Sequence, residues 1–290
     1  MKYAVRHQSR LSYQAPVRDA RLNLRLRPVE WPGQRMLRQS LSVDPSPADV
    51  RRTSGPYLVN LDAMAYADPV KDLTVTGTFE IDVTPPDLPA DIPSVEDIRR
   101  LALQSRDLSI LSPVPYLFGS RIAVPDAAIT AWAAHSISYS DSVVAAASHL
   151  AHAIHEAFAY DPGKTDSTTM PHEAFEERSG VCQDFAHVMI VGLRGHGIPA
   201  AYISGYLRTL PPPGRPRLVG ADAMHAWVAV WAGEKAGWIG VDPTNDCLAR
   251  ESHIVVAMGR DYADVAPVDG VFIGAAPQRT SVAVDVTTID

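Results

Sequence analysis

The chain has 290 residues, 46% of them hydrophobic, and a formal net charge of −7 at neutral pH. That is enough apolar material for one large core or two modest ones. It carries no basic field that would favour nucleic acid or an anionic membrane surface as partner. Its two cysteines cannot make a disulfide framework, and no run approaches the roughly 20 apolar residues of a membrane span. The start, Met1-Lys-Tyr-Ala-Val-Arg-His-Gln8, lacks the apolar stretch of a signal peptide, so the expected address is cytoplasmic.

Residues 1–86 read as a β-rich N-terminal domain. Leu22, Leu24 and Leu26 alternate with Arg21, Asn23, Arg25 and Arg27, the period-two pattern of a strand with one wet face. Leu73, Val75, Phe79, Ile81 and Val83 repeat it against Thr74, Thr76, Thr78, Glu80 and Asp82. The proline-dense run Thr84–Pro93 then reads as a stiff linker and the domain boundary.

From residue 94 to 290 the pattern predicts an α+β domain, helices first and an antiparallel sheet after. Ser94, with Asp97 three residues on, caps a helix. Ala147, Leu150, Ile154 and Phe158 recur at helical spacing, and a short helix covers Pro171–Arg178. The next helix starts near Val181, carries Phe185, Met189 and Leu193, and stops at Gly195-His-Gly197. Strands are predicted at 200–207, 223–231 and 237–241, with a last alternation through Val282, Val284 and Val286.

Three residues in this region carry the chemistry. Cys182 sits at a helix start after Gly180-Val181, His225 stands on an apolar strand, and Asp242 closes another. A thiol nucleophile needs a base to take its proton, and the base needs an acceptor on its other nitrogen to set the tautomer. The positive helix end favours thiolate over thiol. Asp242 is expected to take the Nδ1 proton of His225, which places Nε2 at the sulfur.

Acyl transfer also needs oxyanion donors. The Cys182 backbone N–H is the first; Tyr160 and Gln183 are candidates for the second, with a packing role as the rival for each. Trp227, two residues after His225, either shields the imidazole–sulfur pair or is an ordinary core aromatic. Asp184 and His187 share one helix and are expected to pair. Among the ten histidines, His155-Glu-Ala-Phe-Ala159 and His172-Glu-Ala-Phe-Glu176 lack the second histidine of a zinc motif. His152 and His155 share a helix face without a third ligand, so no metal is expected. No nucleotide fingerprint is present, so no cofactor is expected either.

Four stretches together are similar to the bacterial transglutaminase-like superfamily: Gly180-Val-Cys-Gln-Asp-Phe-Ala-His187, Gly197–Tyr206, His225-Ala-Trp227 and Trp238–Asn245. Leu24-Arg-Leu-Arg-Pro28 resembles the β domain preceding the core in one bacterial branch, and Gly259–Asp264 the segment after the catalytic aspartate. The resemblance implies a papain-like core in which Cys182 is nucleophile, His225 base and Asp242 orienting acid. Two departures stand out. Ala229 replaces a glutamate many relatives carry, an expected change at the site rim, and Thr209–Arg217 is an insertion-like loop that reads as solvated, with a lid carrying Arg215 and Arg217 as the rival. The expected activity is thioester-mediated hydrolysis of a peptide or carboxamide bond in a peptide or protein substrate. Protein-glutamine transglutamination is one alternative, and an inert peptide- or protein-binding domain is the other.

Overall fold

The computed structural model describes residues 1–209, 224–275 and 277–289. Five strands come first: β1 (Lys2–Leu24), β2 (Gln34–Asp44), β3 (Asp49–Ser54), β4 (Asn60–Ala65) and β5 (Val70–Val83). After the linker come α1 (Val95–Gln104), α2 (Ala127–Ala133), α3 (Val143–Ala157), β6 (Ala159–Tyr160), α4 (Pro171–Glu177), β7 (Ser179–Gly180) and α5 (Cys182–Gly195). The chain continues through β8 (Ala200–Leu207), β9 (Met224–Trp231), β10 (Trp238–Asp242), β11 (Cys247–Leu248) and β12 (His253–Gly259), then α6 (Tyr262–Val265), β13 (Val268–Ile273) and β14 (Gln278–Ile289). The fold is α+β, with helices packed on an antiparallel sheet and a β-rich region before them. No described helix is long and apolar enough to cross a membrane.

The predicted alternation is the packing pattern. From Tyr3 to Tyr13 every second residue of β1 is buried, and β5 buries its odd positions from Leu73 to Val83. That single face serves two cores. Leu11, Tyr13, Leu73 and Val75 fill a core inside the N-terminal sheet. Tyr3, Val5, Phe79, Ile81 and Val83 instead join the core of the α+β region. His7 and Gly77, paired across β1 and β5, lie between the two sets. Burial of each large side chain in the second set contributes about 1.5–3 kcal/mol, so the two regions are held by a shared core and not by the linker alone.

Polar ties cross the same junction. Buried Gln34 donates to Val29 O and Val255 O, both at 2.8 Å, and its Oε1 accepts the Val255 N–H at 2.8 Å. Met258 N–H donates to Leu58 O, and Tyr206 Oη–H to Leu26 O.

The expected boundary at 94–290 needs correcting. β13 and β14 both pair antiparallel with β1, along Arg18–Leu24 and Lys2–Tyr13 respectively. The Val284 and Val286 side chains therefore complete the shared core against the N-terminal sheet. A period of two reveals a buried face without revealing which sheet receives it.

The α+β region has a five-stranded sheet in the order β11-β10-β9-β8-β12. Across it lies α5, buried at every residue from Asp184 to Arg194. A helix apolar on nearly all sides is a core helix. It ends where Gly197 takes a left-handed φ of 72°, letting the Ile198 N–H return to Leu193 O.

Candidate active site

Cys182 is the first residue of α5, half-buried beside the main core. The turn before it is set by two contacts. β7 pairs in parallel with β6, placing Gly180 opposite Tyr160, and the Asp184 carboxylate reaches back to accept the Val181 N–H at 2.8 Å. Asp184 also accepts the Thr165 hydroxyl at 2.7 Å, and a Cβ at Gly180 would overlap this carboxylate. Asp184 thus caps the helix from its third position, and burial pushes its carboxyl up.

His225 and Asp242 lie on neighbouring strands, β9 and β10. Their side chains are 9% and 0% exposed, and His225 Nε2 donates to Asp242 Oδ2 at 2.7 Å. The remaining ring nitrogen, Nδ1, is left for the sulfur. This reverses the expected assignment of the two nitrogens. It follows from strand register, which sets the edge of the ring that meets the carboxylate.

Asp242 is an anion saturated with donors. Oδ1 accepts the Thr244 and Asn245 backbone N–H groups at 2.9 and 3.2 Å. Besides His225, Oδ2 accepts Asn245 Nδ2 at 2.7 Å and His253 Nε2 at 3.1 Å. Burial alone would raise its carboxyl, but the bonds from His225 and His253 hold it well below the ordinary range. Burial likewise pulls His225 down, yet the bonds to Asp242 and Cys182 outweigh it and push the imidazole up to about 10. His225 is therefore imidazolium at neutral pH, between an anion and the sulfur.

Trp227 is 1% exposed, so it lies in the core beside His225 and does not line the rim. Its ring lies 6.0 Å from His225 and 5.1 Å from His253. The flanking strands present glycines to it: a side chain at Gly205, in register with His225, would run into the indole, and one at Gly240 would crowd it while overlapping Ala249. Tyr160 is 57% exposed beside the site, its phenol raised by burial and by the neighbouring Cys182 and Asp184 charges. Gln183 Nε2 is buried with no hydrogen-bond partner among the described residues.

Other expectations fall elsewhere. Asp184 and His187 do not pair: the His187 ring is buried against Tyr202, accepts the Tyr262 N–H on Nε2, and is driven down to about 4 by burial. Ala229 is buried within β9, in register with Ala201 and Gly240, and does not touch the rim. His152 bonds Asp246 at 2.7 Å and His155 faces Thr244 O at 3.0 Å, so both brace the turn that carries Asn245. Residues 210–217 of the insertion-like loop, with Arg215 and Arg217, lie outside the described residues.

Sequence reasoning missed His253 and the role of Asn245. Asn245 stood in a quoted motif but had no chemistry assigned; His253 heads an apolar strand with nothing local to mark it. His225, Asp242 and His253 also form a cluster whose possible ligand atoms lie within 4.8 Å of one another. A metal there would need lone pairs from both Nε2 atoms. His253 Nδ1 already accepts the Arg250 N–H at 3.3 Å, which puts that ring's proton on Nε2, and Asn245 presses an N–H onto the same Asp242 oxygen. The donor set fits a hydrogen-bonded carboxylate better than a metal.

Comparison with known proteins gives the family. Residues 128–243 match the transglutaminase-like superfamily, and residues 3–82 match the bacterial transglutaminase-like N-terminal region. An uncharacterised Mycobacterium tuberculosis protein is 34% identical over 296 residues, covering 100% of this chain and 93% of that one. A Pseudomonas aeruginosa protein-glutamine gamma-glutamyltransferase is 42% identical over 93 residues, 31% of this chain and 14% of that enzyme. A solved Cytophaga hutchinsonii structure, described as a candidate cysteine protease, superposes with a TM-score of 0.75 at 21% identity, over 100% of this chain and 92% of that one. The chain belongs to the transglutaminase-like superfamily, with the bacterial transglutaminase-like N-terminal region before its core.

Proposed function

We propose that the protein is a cysteine-nucleophile acyl-transfer enzyme acting on peptide or carboxamide bonds, and that water is its usual acyl acceptor. The observation that carries this reading is His225 bonded to both Asp242 Oδ2 and the Cys182 sulfur, an arrangement that pushes its imidazole up. In the proposed cycle the sulfur attacks the amide carbon as a thiolate. The oxyanion gathers on the Cys182 N–H, one of the helix-start donors without an intrahelical acceptor. His225 passes its Nδ1 proton to the leaving nitrogen as the C–N bond breaks, leaving a thioester. The now neutral imidazole takes a proton from the acceptor, which attacks the thioester and releases the sulfur. Tyr160 is the candidate for the second oxyanion donor, because its side chain is exposed whereas the Gln183 Nε2 is buried.

Water and an amine meet the same thioester. Hydrolysis is preferred because water needs no dedicated binding site, whereas amine transfer does. The match to a protein-glutamine gamma-glutamyltransferase supports the second reading, an amine acceptor.

The test is iodoacetamide labelling resolved between the two thiols, followed by incubation with a glutamine-rich protein and a labelled primary amine. Cys182 should label much faster than Cys247, whose thiol is pushed up to about 11 by burial and by Asp242 and Asp246. This advantage should vanish in His225→Ala. Release of ammonia or new amino termini without label uptake means hydrolysis, and label uptake means transfer. A Cys182 that labels slowly and ignores His225 points to an inert binding domain.

A further inference from the structure

We propose that His253 is a positioning residue of this site: from another strand it fixes the Asp242 carboxylate so that Oδ2 stays on His225 Nε2. The inference rests on the acyl-transfer reading above and extends it to a residue outside the Cys-His-Asp set.

The argument starts from where the donors to Asp242 come from. Thr244 N–H, Asn245 N–H and Asn245 Nδ2 all belong to the turn that follows Asp242 itself. They fix the carboxylate relative to that turn and would shift with it. Among the described residues, the two donors from elsewhere are His225 and His253. His253 heads β12, which pairs with β8, and β8 pairs in turn with β9, the strand of His225. It therefore ties Asp242 to the base by a route independent of the β9–β10 pairing.

The His253 ring is built for one orientation. It is 6% exposed, with the Trp227 indole edge-on at 5.1 Å. Nδ1 accepts the Arg250 N–H at 3.3 Å and lies 3.3 Å from Ser252 Oγ, which leaves Nε2 as the donor toward Asp242. Trp227 packs against both imidazoles, so the two rings and the carboxylate they share form one assembly. Deleting the His253 donor removes the brace from outside the turn and leaves Oδ2 free to leave His225.

Among the described residues, the titratable groups facing His225 are Asp242, Cys182 and His253, so its titration reports on them. The experiment uses the full chain with labelled histidine and follows the His225 imidazole by NMR, assigned with His225→Ala. His253→Phe keeps a ring against Trp227 without the donor, and His253→Gln returns an N–H near the position of Nε2. In His253→Phe the His225 midpoint should fall from about 10 by about one pH unit or more. Amide turnover should drop about tenfold in kcat, with KM within about threefold. His253→Gln should restore most of both.

An unchanged midpoint in His253→Phe would reduce His253 to packing and overturn the proposal. A raised midpoint would overturn it too, because His253 would then only be drawing charge from Asp242. Should His253→Phe not fold, the wild-type spectrum decides: a proton on His253 Nε2 is required, and a ring protonated on Nδ1 alone refutes the idea. A wild-type His225 that titrates near 6.5 and ignores Asp242→Asn sinks the acyl-transfer reading itself, and this inference with it.

Discussion

Asp242→Asn should be far more damaging than the loss of one charge suggests, because the site dictates how the new amide must lie. Two backbone N–H groups, from Thr244 and Asn245, point at Oδ1 in a position with no access to solvent. The amide oxygen has to occupy that place, since an NH2 there would leave two buried donors facing two more. The amide nitrogen then lands where Oδ2 was, facing the N–H groups of His225, His253 and Asn245. His225 can relieve this by giving up its Nε2 proton and keeping one on Nδ1, the nitrogen turned toward Cys182. A ring protonated on that side cannot accept the thiol proton. The carboxylate also underlies the imidazolium: moving His225 from 6.5 to about 10 corresponds to a preference on the order of 5 kcal/mol, and Asp242 heads the groups that raise it. We expect kcat for amide cleavage to fall roughly 10³–10⁴-fold with KM within about threefold, as for a triad aspartate replaced by asparagine elsewhere. The His225 midpoint should drop to near 6.5 or below. Turnover within about tenfold of wild type, with His225 still titrating near 10, would refute the reasoning.

Gly205→Ala places a methyl into the Trp227 indole and the Ile254 carbonyl. It should lower unfolding free energy by about 1–3 kcal/mol in urea titration and cut turnover, because the displaced indole supports both imidazoles. Gln34→Leu removes the side-chain partner of Val29 O, Val255 O and Val255 N–H; a loss of about 3 kcal/mol is expected by the same titration. A chain truncated after Pro267 lacks β13 and β14, and should lose cooperative unfolding and protection of the β1 amides in hydrogen exchange, although residues 94–267 still hold Cys182, His225 and Asp242. Finally, His225 has a folded value above its unfolded one, so its contribution to stability is fully present below about pH 6.5 and disappears as pH rises through about 10. The urea-midpoint gap between wild type and His225→Gln should be flat in mild acid and close across that range.

What was legible in the chain follows a physical division. That Cys182 starts a helix and that His225 and Asp242 stand on strands could be read because each sits beside a local feature that the backbone must obey: a helix start after glycine, an apolar strand, a strand end before proline. The alternation in β1 and β5 held residue by residue. The choice of ring nitrogen did not, because no local pattern tells which edge of an imidazole meets a carboxylate on the next strand. His253 was invisible for a related reason: it reaches Asp242 only because β12 pairs with β8, a long-range choice made by the sheet order. Val284 and Val286 show the same limit from the other side. Their period-two burial was evident, yet the partner strand is β1, more than 270 residues away in sequence. Ala229 makes the point most sharply. Its place two residues after Trp227 suggested the rim, yet it shares the face of His225 and Trp227 on a strand buried on both faces, and Trp227 is itself 1% exposed. The unbroken apolar run Ala226-Trp-Val-Ala-Val-Trp231 is the signature of a strand covered on both faces, and it places both residues in the interior where alternation could not.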